Sequence, residues 1–349
     1  MRSVFIALAA ALAALCLLTP RQAAAGAWRE IPVAVRAADG VSLSGAILMP
    51  EGGTQREGGQ GAPGVVILSG SGGNGRDGRF YGFPAYRVIA ERLAADGVAV
   101  MISDRRGVGG SGGSWRGETI EGRAADAALM AARLAALPGV DPRRVGLLGH
   151  SQGGWVALEA AAASRAVAFV VLMAGPGQSV LDQIVTDETN QRRLAGRGRL
   201  NVAVSGLAMR AGLSGVKLLP RRCGVAALEV LCGVIHYTPA AALPKVRVPV
   251  LALFGQRDSL VPPRPNVRLL AAGLRGAPLT VRLFEDANHQ FWPARTGARA
   301  EYSALTPGYV PGFLDTISDW VRQVPAAPTL GRDQGTMTTE FSDPVGSGS

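Results

Sequence analysis

The residues in this 349-residue chain that could most directly do chemistry are Gly149-His150-Ser151-Gln152-Gly153. An apolar strand, Val145 to Leu148, precedes them, and a helical stretch from about Gly153 to Ala163 follows. A serine on so sharp a strand-to-helix turn sits in strained backbone, and its neighbours must be small. Gly149, Gly153 and Gly154 meet that need. The serine would also lie at a helix N-terminus, where backbone N–H groups favour developing negative charge. That chemistry is nucleophilic attack on a carbonyl carbon through an acyl-enzyme. In a chain with 47 glycines a bare Gly-x-Ser-x-Gly match can be only a turn. The strand before and the helix after this one favour a nucleophile.

A serine hydroxyl needs a base at neutral pH, and the chain has three histidines. His150 adjoins the serine, but its side chain should project away across the turn, for packing or for a supporting hydrogen bond. His236 falls in a helical region and reads as a surface or packing residue. His289 follows an apolar strand at Leu279 to Phe284, in the chain order Ser, acid, His that sites of this type keep. The acid is expected on the loop after Val250 to Phe254, where Asp258 is the only carboxylate in Gly255-Gln256-Arg257-Asp258-Ser259-Leu260-Val261-Pro262. Its task would be to hold His289 in one tautomer. Asp258 as a plain turn residue is the competing reading. Glu285 and Asp286 stand too close in sequence to His289 and are expected to support its loop instead.

An acyl transfer also needs donors for the oxyanion. One is the backbone N–H of Gln152. The other is expected from Ser69-Gly70-Ser71-Gly72-Gly73-Asn74-Gly75-Arg76-Asp77 after the strand Val65 to Leu68, with Ser71 the first choice and Gly72 next. No Gly-Lys-Ser/Thr follows this loop, so phosphate binding is not expected. No His/Cys/Asp cluster has metal-ligand spacing. Neither a metal nor an organic cofactor is expected.

These side chains need a scaffold. Ile31–Arg36 and Val41–Met49 alternate around Asp39-Gly40, a hairpin signal. Then apolar strands alternate with helical stretches at about 84–95, 120–136 and 153–163, the pattern of a parallel sheet covered on both faces. The alternation stops near Gly175. Residues 178–245 read as a helical insertion, a candidate lid, in which Leu181, Ile184, Val185, Leu207 and Met209 either line a pocket or pack on the sheet. Strands and helices resume at Val250, and the last helix is expected near Tyr309 to Val321. From about Pro325 the chain is rich in Pro, Gly, Ser and Thr, and 326–349 reads as a disordered tail.

Arg2, the apolar run Val4 to Leu18 and the small residues near Ala25 read as a secretory signal over 1–25, cleaved after Ala25 or Ala27. An uncleaved anchor is the alternative. The expected location is exported, periplasmic or secreted, with no stable membrane insertion after cleavage. Cys223 and Cys232 would then meet an oxidising compartment, and the spacing leaves open whether they bridge or point apart. The net charge is +10, or +8 once Arg2 and Arg21 are removed (10 − 2). The arginines are scattered without interleaved aromatics, and lysine occurs only at Lys217 and Lys245. No nucleic-acid partner is expected.

The segments Ser69-Gly70-Ser71-Gly72 with Arg76-Asp77, Asp104-Arg105-Arg106-Gly107-Val108-Gly109-Gly110-Ser111, and Asp141 through Gly154 resemble bacterial α/β-hydrolases related to dienelactone hydrolases and to S9 and S33 serine peptidases. The resemblance covers about Val41 to Gln323 and is weakest over the insertion. It implies the α/β-hydrolase fold over 28–325, a mostly parallel central sheet flanked by helices. It also implies ester hydrolysis on small-molecule substrates with small to medium acyl groups, with a peptidase or amidase on the same fold as the alternative. A triad-bearing fold used only for binding is a more distant one. Ser69 departs from the wider fold, where many relatives carry His before the oxyanion glycine.

Overall fold

The structure is a computed structural model that describes residues 27–51 and 61–327. The expected signal segment, and the expected tail from residue 328 onward, lie outside the described residues. Eight strands form one sheet in the order β1-β2-β6-β3-β7-β8-β9-β10. They are β1 (Trp28–Arg36), β2 (Ser42–Pro50), β3 (Ala62–Leu68), β6 (Ala99–Ser103), β7 (Val140–His150), β8 (Val170–Met173), β9 (Val250–Gly255) and β10 (Leu279–Phe284). A separate two-strand ribbon, β4 (Arg79–Phe80) and β5 (Phe83–Pro84), follows the glycine-rich loop. β1 and β2 form the expected hairpin, turning where Gly40 takes φ +83°. Pro32 is tolerated because β1 is an edge strand. β2 also runs antiparallel to β6, and every pairing from β6 to β10 is parallel.

The central strands read as unbroken apolar runs because both of their faces are covered. Val66 and Leu68 of β3 join the core on one face while Val65 and Ile67 join the core on the other. Leu147 and Leu148 of β7 divide in the same way, as do Leu172 and Met173 of β8. Helices α2 (Ile120–Ala135), α3 (Gln152–Ala163) and α7 (Pro263–Gly273) cover the first face. Helices α1 (Ala85–Ala95) and α8 (Phe313–Gln323) cover the second. α8 begins later than its apolar residues suggest, because Gly312 takes a left-handed φ of 76° at its cap and leaves Tyr309 outside the helix.

Between β8 and β9 the chain leaves the sheet as α4 (Val180–Leu194), α5 (Arg199–Val216), α6 (Glu229–Val234) and two short 3-10 turns. The Ser179 hydroxyl caps α4 by accepting the Asp182 N–H. Cys223 and Cys232 are bonded, with Cα atoms 6.2 Å apart, and tie the α5–α6 connection to α6.

Candidate active site

The C-terminal ends of the parallel strands bring the sequence candidates together. Ser151 follows β7 with φ 54° and ψ −120°, a backbone region costly for any residue with a Cβ. Its N–H donates to the Met173 carbonyl at 2.9 Å, and its carbonyl accepts the Gly154 N–H at 2.8 Å. The turn closes only because its flanks are bare: a Cβ on Gly149 would overlap the Gly153 carbonyl, and one on Gly153 would overlap Leu68 of β3.

Asp258 lies after β9 and His289 after β10. His289 Nδ1 donates to Asp258 Oδ2 at 2.8 Å, and both side chains are buried. The other carboxylate oxygen of Asp258 accepts the N–H groups of Leu260 and Val261, at 2.9 and 2.7 Å. The carboxylate is thus fixed by its own turn before it meets the histidine. The His289 loop is shaped by Asn288, fully buried, whose side-chain oxygen accepts the N–H groups of Gln290 and Trp292. Glu285 and Asp286 are exposed, and Asp286 approaches Arg257 at 3.8 Å. Ser151 and His289 face one cavity of about 490 Å³. Among the described residues no hydrogen bond joins them, a looseness common before substrate binds.

Gly70 and Ser71 border the same cavity beside Gln152. Gly70 packs so close to Ser151 that a Cβ there would lie 3.4 Å from the serine Cβ. Its N–H is already given to the Tyr86 hydroxyl at 3.0 Å. Ser71, the next donor along the loop, has no protein acceptor for its N–H among the described residues. Asn74 donates back to the Ser71 carbonyl at 2.8 Å.

Two arginines with buried side chains hold this loop from behind: Arg123, which no motif announces, and Arg105, which lies in the Asp104–Ser111 segment. Arg123 of α2 donates to the Ser69 carbonyl and to the Gln152 side-chain oxygen, each at 2.7 Å. It therefore clasps both segments that could supply oxyanion donors. Burial and repulsion by Arg105 pull its pKa down to about 9, so it stays charged at neutral pH. Arg105 donates to the Gly72 carbonyl at 2.7 Å and pairs with Glu118 at 2.5 Å. Further out, Arg76 pairs with Asp104 at 2.7 Å. Burial raises the Asp104 pKa, but bonds from the Arg76 side chain and from the Arg76 and Gly110 N–H groups outweigh it and hold the group below its ordinary value.

His150 lies between two loops and also borders the cavity. Its Nδ1 lies 3.0 Å from the Tyr86 hydroxyl, and its Nε2 lies 3.2 Å from the His289 carbonyl. With Gly70 donating to Tyr86, one assignment satisfies every group: Tyr86 donates to Nδ1 and Nε2–H donates to His289. The chain Gly70–Tyr86–His150–His289 links the glycine-rich loop to the histidine loop. Burial, with repulsion by His289, depresses the His150 pKa to about 3 and keeps it neutral. His236 is half-buried after α6 and does not border the cavity.

The far wall of the cavity comes from α4 and α6, including Val180, Gln183, Ile184, Leu231 and Val234. α4 is stitched to the Asp258 loop: Gln183 donates to the Leu260 carbonyl, and Asn190 and Gln191 bond Ser259 at 3.0 and 2.8 Å. Of the insertion's apolar positions, Leu181 and Val185 are buried, Ile184 borders the cavity and Met209 packs on the core. Leu207 does neither and is 71% exposed.

A family model described as serine aminopeptidase, S33, matches residues 81–293. No curated protein sequence matches the chain significantly. Among solved structures, an esterase of Pyrococcus furiosus is 18% identical with a TM-score of 0.52, over 75% of this chain and 83% of that one. The protein DcsB, solved with a substrate analogue, is 17% identical with a TM-score of 0.55, over 85% and 99%. Acetyl xylan esterase 1 of a Thermoanaerobacterium species is 18% identical with a TM-score of 0.52, over 84% and 83%. At these identities the likeness is one of fold.

Proposed function

Since the chain belongs to the serine aminopeptidase S33 family and has the α/β-hydrolase fold, we propose that it hydrolyses carboxylic esters with small to medium acyl groups. Ser151 is the nucleophile, His289 the base and Asp258 the group that orients it. Ser151 Oγ attacks the ester carbonyl while His289 Nε2 takes its proton. Asp258 holds Nδ1–H and stabilises the imidazolium. The oxyanion is received by the N–H groups of Ser71 and Gln152. His289 returns the proton to the leaving alcohol, then activates the water that releases the acid. The observation that carries this reading is the buried 2.8 Å Asp258–His289 pair facing the cavity that holds Ser151.

The family description favours a peptidase as a second reading. Against it, the one carboxylate among the described residues bordering the cavity is Asp187, and Arg299 already takes it. An aminopeptidase needs a free anion for the substrate amine. The apolar wall of α4 and α6 suits an acyl chain better, and residues 178–245 are proposed to shape that pocket. We also read 1–25 as an export signal. N-terminal sequencing of protein recovered outside the cytoplasm tests that, and an intact Met1 there would overturn it.

The deciding assay times hydrolysis of p-nitrophenyl esters of increasing acyl length and of aminoacyl anilides, with Ser151→Ala alongside. Ester turnover that the variant lowers by about 10⁴-fold or more supports the proposal. Anilide turnover exceeding ester turnover would transfer the site to peptide bonds.

A further inference from the structure

Helix α5 has two apolar faces. Val202, Gly206 and Leu213 are buried. Gly206 meets α4 so closely that a Cβ there would lie 2.9 Å from Thr189. The opposite face carries Leu200, Val204 and Leu207, which are 78, 58 and 71% exposed. The spacing i, i+4, i+7 puts these three on one stripe. Ala203, Ala208 and Ala211 are exposed beside them, and no charged residue interrupts 200–208. Beyond the helix end, Leu218 is 87% exposed. Isolated exposed leucines are ordinary, but a continuous stripe marks a contact surface.

The stripe has basic ends. Arg193, Arg197 and Arg199 border a hollow at its start, and Lys217, Arg221 and Arg222 follow its end. The nearby carboxylates are engaged: Asp182 pairs with Arg210 at 2.8 Å, Glu188 with Arg192 at 2.7 Å, and Glu121 with Arg221 at 3.2 Å. Arg197, Arg199 and Arg222 have no carboxylate partner among the described residues, and Lys217 acts on Asp182 only beyond ion-pair distance. An apolar face framed by cations fits the interface of an anionic bilayer, where side chains enter the acyl boundary and cations meet phosphate. A second copy fits poorly. A two-fold axis through the stripe would set basic clusters against basic clusters whether the helices ran parallel or antiparallel. No described helix is long and apolar enough to cross a membrane.

We propose that the outer face of α5 is a docking surface for an anionic lipid bilayer, the helix lying in the plane of the headgroups. This surface is independent of the chemistry assigned to Ser151. It does bear on access, because α4 separates α5 from the cavity and lends that cavity Val180, Gln183 and Ile184. Docking would bring the cavity to about one helix diameter, roughly 10 Å, from the lipid.

The test uses the full chain carrying Leu207→Trp, so that the signal is local and the apolar run Val4–Leu18 cannot supply it. Vesicles are pure phosphatidylcholine or an equal mixture with phosphatidylglycerol, and both contain brominated acyl chains. Circular dichroism and the melting midpoint check folding. The expected result is emission from the added indole that shifts to the blue and is quenched on the mixed vesicles, an effect weakened by salt. Arg197→Gln with Arg199→Gln should lower the apparent affinity at this site by about tenfold or more. No quenching on either vesicle in a folded protein overturns the proposal. So does equal quenching on both, which would leave the cations without a role. A dimer in light scattering that Leu200→Glu dissociates, without quenching by vesicles, would reassign the face to self-association.

Discussion

Arg123 shows how a residue remote from the bond being broken can govern the rate. It touches no position a substrate would fill, yet its two bonds fix the Ser69 carbonyl and the Gln152 side chain at once. Oxyanion donors act by being in place before charge develops. Replacing Arg123 with Met keeps the length of the side chain and removes both bonds. We expect kcat for esters to fall about 10²-fold with KM nearly unchanged, because a small misplacement of donors costs about that much. Arg123→Lys, which keeps the charge but not the fork, should recover only part of the loss. Steady-state kinetics on one p-nitrophenyl ester measures both. A rise in KM at constant kcat would show that Arg123 serves binding instead.

Among the elements, the insertion contrasts with the sheet. Its disulfide spans Cys223 to Cys232 and holds α6, whose Val230, Leu231 and Val234 border the cavity. Closing a loop this short contributes roughly 2–3 kcal/mol, and contributes it locally. Cys223→Ala with Cys232→Ala should speed amide exchange over 223–235 and leave the amides of β3, β7 and β9 protected. Hydrogen exchange with mass detection checks this, and equal loosening of the strands would make the bond a global support. The strands were legible because β3 and β6 to β9 are covered on both faces and so read as apolar runs. The Ser151 turn is legible because Gly149 and Gly153 have no room for a Cβ. Arg123 and Tyr86 were not, since a buried charge or hydroxyl whose partners lie 16 to 64 residues away has no periodic signature. Leu207, expected to line a pocket or pack on the sheet, does neither, because α5 is apolar on two sides and its sequence does not say which side is covered. The disulfide is not legible, because nine residues of separation do not determine where two side chains point.

At the scale of the whole molecule, stability should carry the imprint of His150. Its pKa is about 3 in the folded protein and about 6.5 when exposed in the unfolded chain. Above pH 6.5 both states hold it neutral and its penalty vanishes. Between about 6.5 and 3 the unfolded chain binds a proton that the folded one refuses, so stability falls as pH falls, by up to about 1.4 kcal/mol per pH unit. Denaturant titrations from pH 7 to 4 should show this slope, and His150→Asn should flatten it. An unchanged slope in the variant would place the acid sensitivity elsewhere, for example at Asp104, which loses its partners as it gains a proton.

The distribution of the site along the chain also has a consequence in time. Ser151 and His289 are 138 residues apart (289 − 151), and Asp258 precedes its histidine by 31. A ribosome has therefore made the Ser151 turn long before it makes the proposed base, His289, which follows β10. Until then the emerging polypeptide carries a serine with nothing to activate it. On the proposed triad, hydrolytic power arrives in one late step, with the final strand, and a chain cut short before that strand is expected to be inert however well its first half folds.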